Sequence, residues 1–372
     1  MKKIIITLIA FTLPIILLAQ SGKKFILLEE FSTAPCGFCP DGDIIAEQLI
    51  KDYPHIIWIT HHAGFGTDSM TIPESKTIAS TFTTFAPGAC IDRMDVPIPV
   101  YTKPPYIAIS RQKWDSVSQA HLNDDAVVEI SINNDYNKST GKLTCKVDMY
   151  FSSTPDSGDI RLNLFISEDS VVGYGHGYDQ KNYYNKTAGH PMYGRGDTVI
   201  GYVHHHVMRY VASGTWGLQG IIPNSPKQAE SYTYTFENIP VSSLWKTKDV
   251  DVIAFVSYYD ADAKKRSIIN SNHLMLLDKA TVSSPGINME AKVNFYPNPA
   301  SNYLYFDFNS QVDGFSQIKL YNVQGQLLRY YNQKIDKLNN KIELGNPENG
   351  LYFYSALGLD GRVYSGKLLV EN

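Results

Sequence analysis

The hydrophobic and polar positions in the first third of the chain alternate between the period of a strand and the period of a helix. The predicted elements are, in order, a strand at 25–28, a helix at 43–50, a strand at 55–61, a helix at 73–85, a strand at 89–92 and a helix at 105–122. Pro73 and Pro105 each lie in the first turn of a predicted helix, where proline is favoured. This order predicts a small α/β domain over residues 20–122.

In residues 123–280, runs that alternate between apolar and polar positions dominate instead, which is the period of a strand with one buried face. The predicted strands are 128–132, 143–151, 162–166, 232–236 and 250–256. Turn residues separate them, as they do in antiparallel β-sandwiches. The segment 173–196 is rich in glycine, tyrosine and asparagine. We predict that it is a surface loop without a ligand, because it carries no obvious chemical constellation.

The end of the chain forms a third unit. Residues 294–372 contain several short predicted strands, and the weakly patterned residues 281–293 before them predict a linker. The predicted fold class is therefore multidomain: an α/β domain followed by two mainly antiparallel β-sandwich domains. A length of 372 residues, of which 43% are hydrophobic and 19% charged, fits two or three globular domains.

Residues 1–19 have the pattern of a secretory signal peptide. Lys2 and Lys3 precede an apolar run at 4–18, and the small residue Ala19 lies before a cleavage point at Gln20. A transmembrane anchor is the alternative, but the apolar run is short and no second one follows. We therefore expect an exported protein.

The charge pattern argues against one class of partner. The formal net charge is −4, and no basic stripe with interleaved aromatic residues occurs. Because nucleic-acid binding relies on clustered Lys and Arg, we expect no nucleic acid as a partner.

Two cysteines three positions apart, Cys36 and Cys39, lie between a predicted strand and a predicted helix. In that position the first sulfur lies at the N-terminus of the helix, where free N–H groups and the helix dipole stabilise a thiolate. Asp41 and Asp43 in the first turn oppose that thiolate, so we expect only a modest lowering of its pKa. If the pair is catalytic, Cys36 is the attacking thiolate and Cys39 resolves the mixed disulfide.

The alternative is that Cys36 and Cys39 form a permanent structural disulfide, because the cell surface offers no evident electron donor. Whether the protein is an enzyme therefore stays open; if it is, it is a thiol–disulfide oxidoreductase. Cys90 and Cys145 are expected to be buried thiols, and a bridge between them cannot be inferred from their spacing.

The sequence predicts no metal and no cofactor. A zinc site at Cys36 and Cys39 needs further ligands, and no second CxxC motif exists. His204 and His206 share one face of a predicted strand, with His205 on the other face. We interpret them as ordinary strand histidines, because no third ligand is visible.

Glu30 lies six residues before Cys36, and the aromatic Phe31 follows it. In these residues the chain resembles the thioredoxin superfamily, whose members carry a buried acid at that distance from the CxxC motif. The resemblance implies a thioredoxin-like domain at residues 20–122. It also implies that Glu30 assists proton transfer at Cys39.

Pro87 lies just before the predicted strand at 89–92. It is similar to the cis-proline of the thioredoxin superfamily, which faces the CxxC motif and shapes the substrate groove. The surroundings depart from the family pattern, because Gly88 and Ala89 replace the residues usual there. In addition, Pro35 stands where a tryptophan often precedes the first cysteine.

Four motifs follow one another in the last unit. They are FYPNPA at 295–300, LYNVQG at 320–325, NGLYFY at 349–354 and GKLLV at 366–370. They resemble the C-terminal sorting domain of type IX secretion cargo. The resemblance implies that residues 294–372 form a small β-sandwich recognised by the secretion machinery, with surface attachment or release afterwards. We expect export through the periplasm to the cell surface or the medium, and outer-membrane association without a transmembrane helix.

Four further motifs lie in the first two domains. They are LEEFST at 28–33, CGFCP at 36–40, IDR at 91–93 and YVHHHVMR at 202–209. They resemble the twenty-eight-kilodalton outer-membrane protein family. The resemblance implies a thioredoxin-like domain joined to a β-sandwich in an exported envelope protein, with an adhesin or receptor role.

Two functions from different classes follow from these features. The first is thiol–disulfide exchange with a protein partner at Cys36 and Cys39. The second is non-catalytic binding at the cell surface, with a ligand that contacts the sandwich and its 173–196 loop. An accessible, acidic Cys36 favours the first function, and a buried or unreactive Cys36 favours the second.

Overall fold

The computed structural model describes residues 22, 24–96, 106–277, 294–308, 314–322, 327–331, 334–345, 347–359 and 363–371. The chain divides into two compact units, Met1–Ala280 and Thr281–Asn372. The predicted signal peptide at 1–19 and the predicted linker at 281–293 lie outside the described residues.

The described part of the first unit contains many strands and three α-helices. Its strands are β1 Ile26–Ser32, β2 Ile56–His62, β3 Gly88–Ile91, β4 Ile109–Ser110, β5 Val128–Asn137, β6 Lys142–Phe151, β7 Asp159–Glu168, β8 Val171–Val172, β9 Gln180–Lys181, β10 Thr198–Val199, β11 Val203–His204, β12 Val207–Val211, β13 Ser231–Pro240, β14 Val250–Tyr259 and β15 Ile268–Met275. Its α-helices are α1 Cys39–Asp52, α2 Pro73–Phe82 and α3 Trp114–His121.

One eight-stranded sheet, ordered β15-β14-β7-β12-β2-β1-β3-β4, runs through this unit. β1 and β2 pair in parallel, and β2 also pairs in parallel with β12, at Thr60 and Val207. The sheet therefore continues from the predicted α/β part into the predicted sandwich part. The division of residues 20–280 into two domains at residue 122 stays a prediction, and the two parts share this sheet.

β1 and β2 are buried along their whole length, as parallel strands covered on both faces are. On one face, Leu27 and Phe31 belong to an apolar cluster that includes residues of α2. On the other face, Ile26 and Leu28 belong to a cluster that includes residues of α1 and α3. Successive residues of β1 thus point into two different cores.

A three-stranded sheet, ordered β13-β6-β5, forms the second layer of the sandwich part. Its inward positions alternate as predicted, and Val128, Ile130 and Ile132 pack in one core with Leu162 and Leu164 of β7. The predicted β-sandwich strands are confirmed.

The predicted helix at 105–122 is wrong in its first half. Ile109 and Ser110 form β4, which pairs with β3, and the α-helix begins only at Trp114. The open edge of β3 offers backbone partners to this segment, and an edge pairing overrides a helical apolar spacing. Pro105 lies outside the described residues.

The second unit is all-β in its described residues. Its strands are β16 Asn294–Tyr296, β17 Tyr303–Asp307, β18 Gly314–Tyr321, β19 Leu327–Tyr331, β20 Ile335–Asp336, β21 Lys341–Glu343, β22 Gly350–Gly358 and β23 Val363–Val370. They form a sheet ordered β16-β17-β21 and a sheet ordered β19-β18-β22-β23, with β20 beside β18. Leu304 and Phe306 of β17 pack with Phe315 and Tyr354 in one core. The unit is a small β-sandwich, as predicted.

Candidate functional site

Cys36 and Cys39 form a disulfide at the point where the chain leaves β1 and enters α1. The helix begins at Cys39, and the N–H of Cys39 donates to the carbonyl of Cys36 at 3.2 Å. Only 3% of Cys36 is exposed, and Cys39 is fully buried. The CxxC motif, which the sequence predicts at an active-site turn, is therefore buried.

The cover comes from residues 173–202, which we call the strap. β8 and β11 pair at its two ends, and β9 and β10 pair within it. The N–H of Lys181 donates to the carbonyl of Ala34 at 2.8 Å, and the N–H of Tyr183 donates to the carbonyl of Gly37 at 2.9 Å. The sequence did not predict this pairing with the disulfide loop, and the prediction that the segment is without a ligand stays a prediction.

Gly37 allows the strap to lie this close. A β-carbon at Gly37 would lie 2.5 Å from the ring of Tyr183, closer than side-chain contacts allow. Tyr183 also meets Phe38 edge to face, with 4.9 Å between the ring centres. Both rings stay accessible, Phe38 at 48% and Tyr183 at 54%. The covered disulfide thus lies beside an exposed aromatic pair.

A buried glutamine side chain completes the contact. The amide nitrogen of Gln180 donates to the carbonyl of Cys36 at 2.8 Å, and Gln180 is fully buried. Its own side-chain oxygen has no hydrogen-bond partner among the described groups. A buried polar group without a partner is unfavourable, so the strap is held here at an energetic cost.

Two carboxylates of α1 hold the far part of the strap. The hydroxyl of Tyr202 donates to Asp43 at 2.7 Å. Asp41 pairs with Arg111, whose guanidinium also donates to the hydroxyl of Tyr184 at 2.8 Å. An acidic residue in the first helical turn, such as Asp41, usually serves the helix dipole, whereas here it also anchors a remote segment.

Glu30 lies at the centre of the buried side of this site. Its Oε2 accepts a hydrogen bond from the indole N–H of Trp58 at 3.0 Å, and its Oε1 has no partner among the described groups. Burial and the nearby Asp43 raise the pKa of Glu30 well above its usual range. Burial also raises the pKa of Asp43. Glu30 therefore binds a proton more tightly than an ordinary glutamate does.

Pro87 and Glu30 meet beneath the first turn of α1. The Ala86–Pro87 peptide bond is cis. A β-carbon at Gly42 would lie 2.6 Å from Oε1 of Glu30 and 2.8 Å from the β-carbon of Pro87. The structure thus brings Glu30 and Pro87 together beside the helix that starts at Cys39. Their catalytic roles stay predictions.

Sequence reasoning missed the strap residues that complete the site. Gln180, Tyr183 and Tyr202 lie far along the chain from the cysteines, and no local motif links them. One signal was present, the tyrosine-rich composition of the segment.

The three consecutive histidines do not alternate along one strand, and that prediction is corrected. β11 ends at His204, β12 begins at Val207, and His206 adopts a left-handed backbone with φ of 49°. His205 and His206 both lie against the ring of Trp58, with ring centres 6.0 and 4.8 Å apart. The break in the strand brings these two neighbours to the same indole.

The other two cysteines are free thiols in the structure. Burial raises the pKa of Cys90 well above its usual range and that of Cys145 to about 12. A Cys90–Cys145 bridge is therefore absent, and neither thiol is activated. Among the described residues, no group of three or more His, Cys, Asp or Glu side chains is placed to hold a metal ion.

A second buried polar cluster lies on the opposite face of β1. Arg93 binds Glu29 with two hydrogen bonds of 2.6 and 2.7 Å, and His61 lies 3.2 Å from the same carboxylate. Ser75 contacts the other nitrogen of His61 at 3.0 Å. This order of serine, imidazole and carboxylate matches that of a hydrolase triad. All members are buried, so no substrate reaches the hydroxyl and the cluster is structural.

The family of this chain follows from a comparison of its sequence with family models. The model for outer membrane protein Omp28 matches residues 79–276, which is more than half of the chain. The chain belongs to the Omp28 outer membrane protein family. The model for the secretion system C-terminal sorting domain matches residues 294–371. The predicted resemblances to the Omp28 family and to the sorting domain are confirmed.

One solved structure agrees with the fold of this Omp28-family chain. HBP35 of Porphyromonas gingivalis is similar at a TM-score of 0.51 and 19% identity, over 94% of this chain and 99% of that one. At that identity the likeness concerns the fold alone, and the predicted fold class is confirmed. A domain of the outer membrane lipoprotein Omp28 from Porphyromonas gingivalis matches at a TM-score of 0.24 and 14% identity, over 41% of this chain and 88% of that one. None of the curated protein sequences matches the chain.

The sorting domain and the Omp28 family together identify an exported protein of the cell surface. The sorting domain implies that residues 294–371 interact with the type IX secretion machinery. In the part of the chain that the structure describes, no helix has the length and apolar character needed to cross a membrane.

Proposed function

We propose that this Omp28-family protein is a non-catalytic binding protein of the cell surface, in which Cys36–Cys39 is a structural disulfide. The observation that carries the proposal is the burial of Cys36 beneath the strap. Thiol–disulfide exchange requires an attacking sulfur to reach a disulfide sulfur. A covered sulfur favours a structural role.

The covered loop has a structural task that explains the bridge. Three of its carbonyls, those of Ala34, Cys36 and Gly37, accept hydrogen bonds from the strap. The disulfide limits the movement of this loop and so keeps the three carbonyls in place for the strap. In this function the bridge serves the shape of the surface.

The strap supplies the surface that we assign to the ligand. Tyr174, Tyr183 and Tyr193 of the strap are exposed, and Tyr183 lies against the exposed ring of Phe38. Tyrosine-rich loops give a large contact area at low cost in side-chain entropy, and exposed aromatic groups commonly mark interaction sites. The ligand therefore contacts the strap.

One observation favours a second candidate function, thiol–disulfide exchange. Glu30 is buried beneath the helix that begins at Cys39, and its unpartnered Oε1 is suited to accept a proton. In this function the reduced Cys36 thiolate attacks a partner disulfide, and one partner thiolate leaves. Cys39 gives its proton to Glu30 and attacks Cys36, which releases the second partner thiol. A dithiol partner must then reduce the Cys36–Cys39 bridge again.

The full chain and its Cys36→Ser variant separate the two candidates. We would measure the reduction potential of the Cys36–Cys39 pair and the turnover of disulfide reduction on a model protein substrate. A structural bridge predicts a potential below about −300 mV and no turnover above that of the variant.

The control is Cys90→Ser, which removes a buried thiol outside the site. It should behave like the natural chain in both measurements. Turnover that Cys36→Ser abolishes and Cys90→Ser retains would overturn the binding proposal and establish the exchange function.

A further inference from the structure

The strap is closed at a narrow neck, and a histidine lies there. β8 and β11 form the neck, and His204 of β11 is 2% exposed. Its Nε2–H donates to the carbonyl of Tyr178 at 2.8 Å, and its ring lies 5.1 Å from that of Tyr202. Both partners belong to the strap. Lifting the strap would therefore expose His204 to water.

The groups that face His204 come from two parts of the fold. His62 of β2 lies with its ring centre 5.1 Å away. Its Nδ1 is 2.7 Å from Asp68, which accepts the backbone N–H of Ala34 at 2.8 Å. His205 follows His204 in the chain. The same cluster thus contacts the neck of the strap and the loop that carries Cys36.

Burial and the neighbouring His62 lower the pKa of His204 to about 4, from its ordinary 6.5. A base whose pKa is lowered in the closed state binds its proton more readily in the open state. The closed state therefore loses stability as the pH falls from about 6.5 to about 4, and it keeps its full stability above that window.

We propose that the strap is a pH-gated cover: protonation of His204 at the neck releases it and uncovers the Cys36–Cys39 disulfide. The geometry carries this proposal, since the strap covers both His204 and Cys36. The release goes beyond the proposed function, because it holds whether the uncovered disulfide is structural or catalytic.

Other titratable groups near the neck have a less direct effect on the opening of the strap. The hydrogen bond to Asp169 raises the pKa of His205, and burial lowers that of His206. All three residues lie outside the strap, so these contacts persist when it lifts. Burial raises the pKa of Asp43, whereas the hydrogen bond from Tyr202 of the strap lowers it. The net effect is a raised pKa, so protonation of Asp43 favours the buried, closed state and opposes the release.

The test measures how fast a phosphine reductant cleaves the disulfide of the full chain between pH 7.5 and pH 5. Each rate is divided by that of an oxidised peptide with the sequence of residues 34–41, which corrects for the reductant itself. When only the open form reacts, the corrected rate follows the open fraction. One proton with a pKa of about 4 closed and 6.5 open predicts a rise of about 30-fold.

The decisive variant is His204→Gln, whose amide can still donate to Tyr178 but takes up no proton. Its corrected rate should stay constant with pH. His121→Gln, on the exposed His121–Asp124 pair of α3, is the matched control and should keep the rise. A flat profile in the natural chain overturns the gate, and an undiminished rise in His204→Gln overturns the role of His204.

Hydrogen exchange on the natural chain keeps the proposal testable if His204→Gln does not fold. After correction for intrinsic exchange rates, amides of the strap should lose protection about 30-fold between pH 7.5 and pH 5. Amides of β14 should not. Equal protection of the strap at both pH values overturns the proposal. Turnover on a protein substrate is a separate measurement, so failure of the proposed function would be recognised independently.

Discussion

Glu29 and Glu30 are neighbours on opposite faces of β1, and their pKa values are shifted in opposite directions. On the face towards α2, Arg93 and His61 surround Glu29. Burial alone would raise the pKa of Glu29, but these partners lower it to about 2. On the face towards α1, Glu30 has one indole N–H and a nearby carboxyl group, and its pKa is raised.

The difference teaches that burial alone does not decide the charge of a carboxyl group. Glu29 and Glu30 are both fully buried and adjacent in the chain, so their desolvation is similar in kind. The partner supplied by the rest of the fold decides whether the buried carboxyl group is charged. A cationic partner makes Glu29 a structural ion, and its absence leaves Glu30 as a proton-binding group.

The largest effect on stability should come from Arg93→Met, which removes the cationic partner of Glu29 while keeping the length of the side chain. Glu29 would be left as a buried carboxylate without its cation, which costs about 3–5 kcal/mol of unfolding free energy. Urea unfolding at pH 7 measures it. Lys264→Met, on the exposed Lys264–Asp95 pair, is the control and should cost at most about 1 kcal/mol. Equal losses in the two variants would contradict the comparison.

Gly42→Ala should come next, because it crowds the other face. The new methyl group would lie 2.6 Å from Oε1 of Glu30, and overpacking of this kind costs about 1–3 kcal/mol. An exposed helical glycine would instead gain about 1 kcal/mol from the same change. A double-mutant cycle with Glu30→Ala should recover part of the loss, and strict additivity would count against the contact.

Glu30→Gln should stabilise the fold at neutral pH. The folded pKa of Glu30 is raised above 4.5, so the carboxyl group lowers stability at pH values above 4.5 and not below. The amide keeps the acceptor for Trp58 and removes the ionisation. We expect a gain of about 1 kcal/mol or more at pH 7 that disappears at pH 4, measured by urea unfolding at both pH values. A gain that does not depend on pH would contradict the raised pKa.

The smallest change in stability should follow Phe38→Ala, because the ring is half exposed. Unfolding free energy should shift by no more than about 0.5 kcal/mol. Phe31→Ala, seven positions earlier and fully buried on the face of β1 opposite to Glu30, should cost about 3–5 kcal/mol. If the proposed ligand surface is correct, Phe38→Ala loses ligand binding without losing stability. A large loss of stability would assign the ring to the core.

Periodicity alone predicted much of the fold. The alternating positions of β5 and β6 predicted a half-buried sheet, and the apolar run before Cys36 predicted a buried strand. β4 was missed because the helical spacing of Trp114 and Val117 was extended back to Ile109, which instead pairs with Ala89. The pairing of β2 with β12 was missed because it joins residues that no local pattern connects.

The candidate site was predictable only in its local half. Cys36, Cys39 and Glu30 lie within ten positions of one another, and a motif can contain them. The cover depends on Gln180 of the strap, and the neck depends on His204 of β11, and both lie far along the chain from the cysteines. The charge states also depend on such remote partners, so the sequence could not predict that the pKa of Glu29 is lowered and that of Glu30 is raised.

The distance along the chain between the disulfide and its cover sets an order of events in folding. Cys36 and Cys39 are three positions apart, whereas Gln180 contacts Cys36 across 144 positions. Closing a short loop is entropically cheaper than closing a long one, so the two thiols meet before the strap reaches them. The newly exported chain therefore passes through a stage in which its cysteines are open to oxidation. Once the strap has docked, the bond that formed in that stage is shielded from exchange.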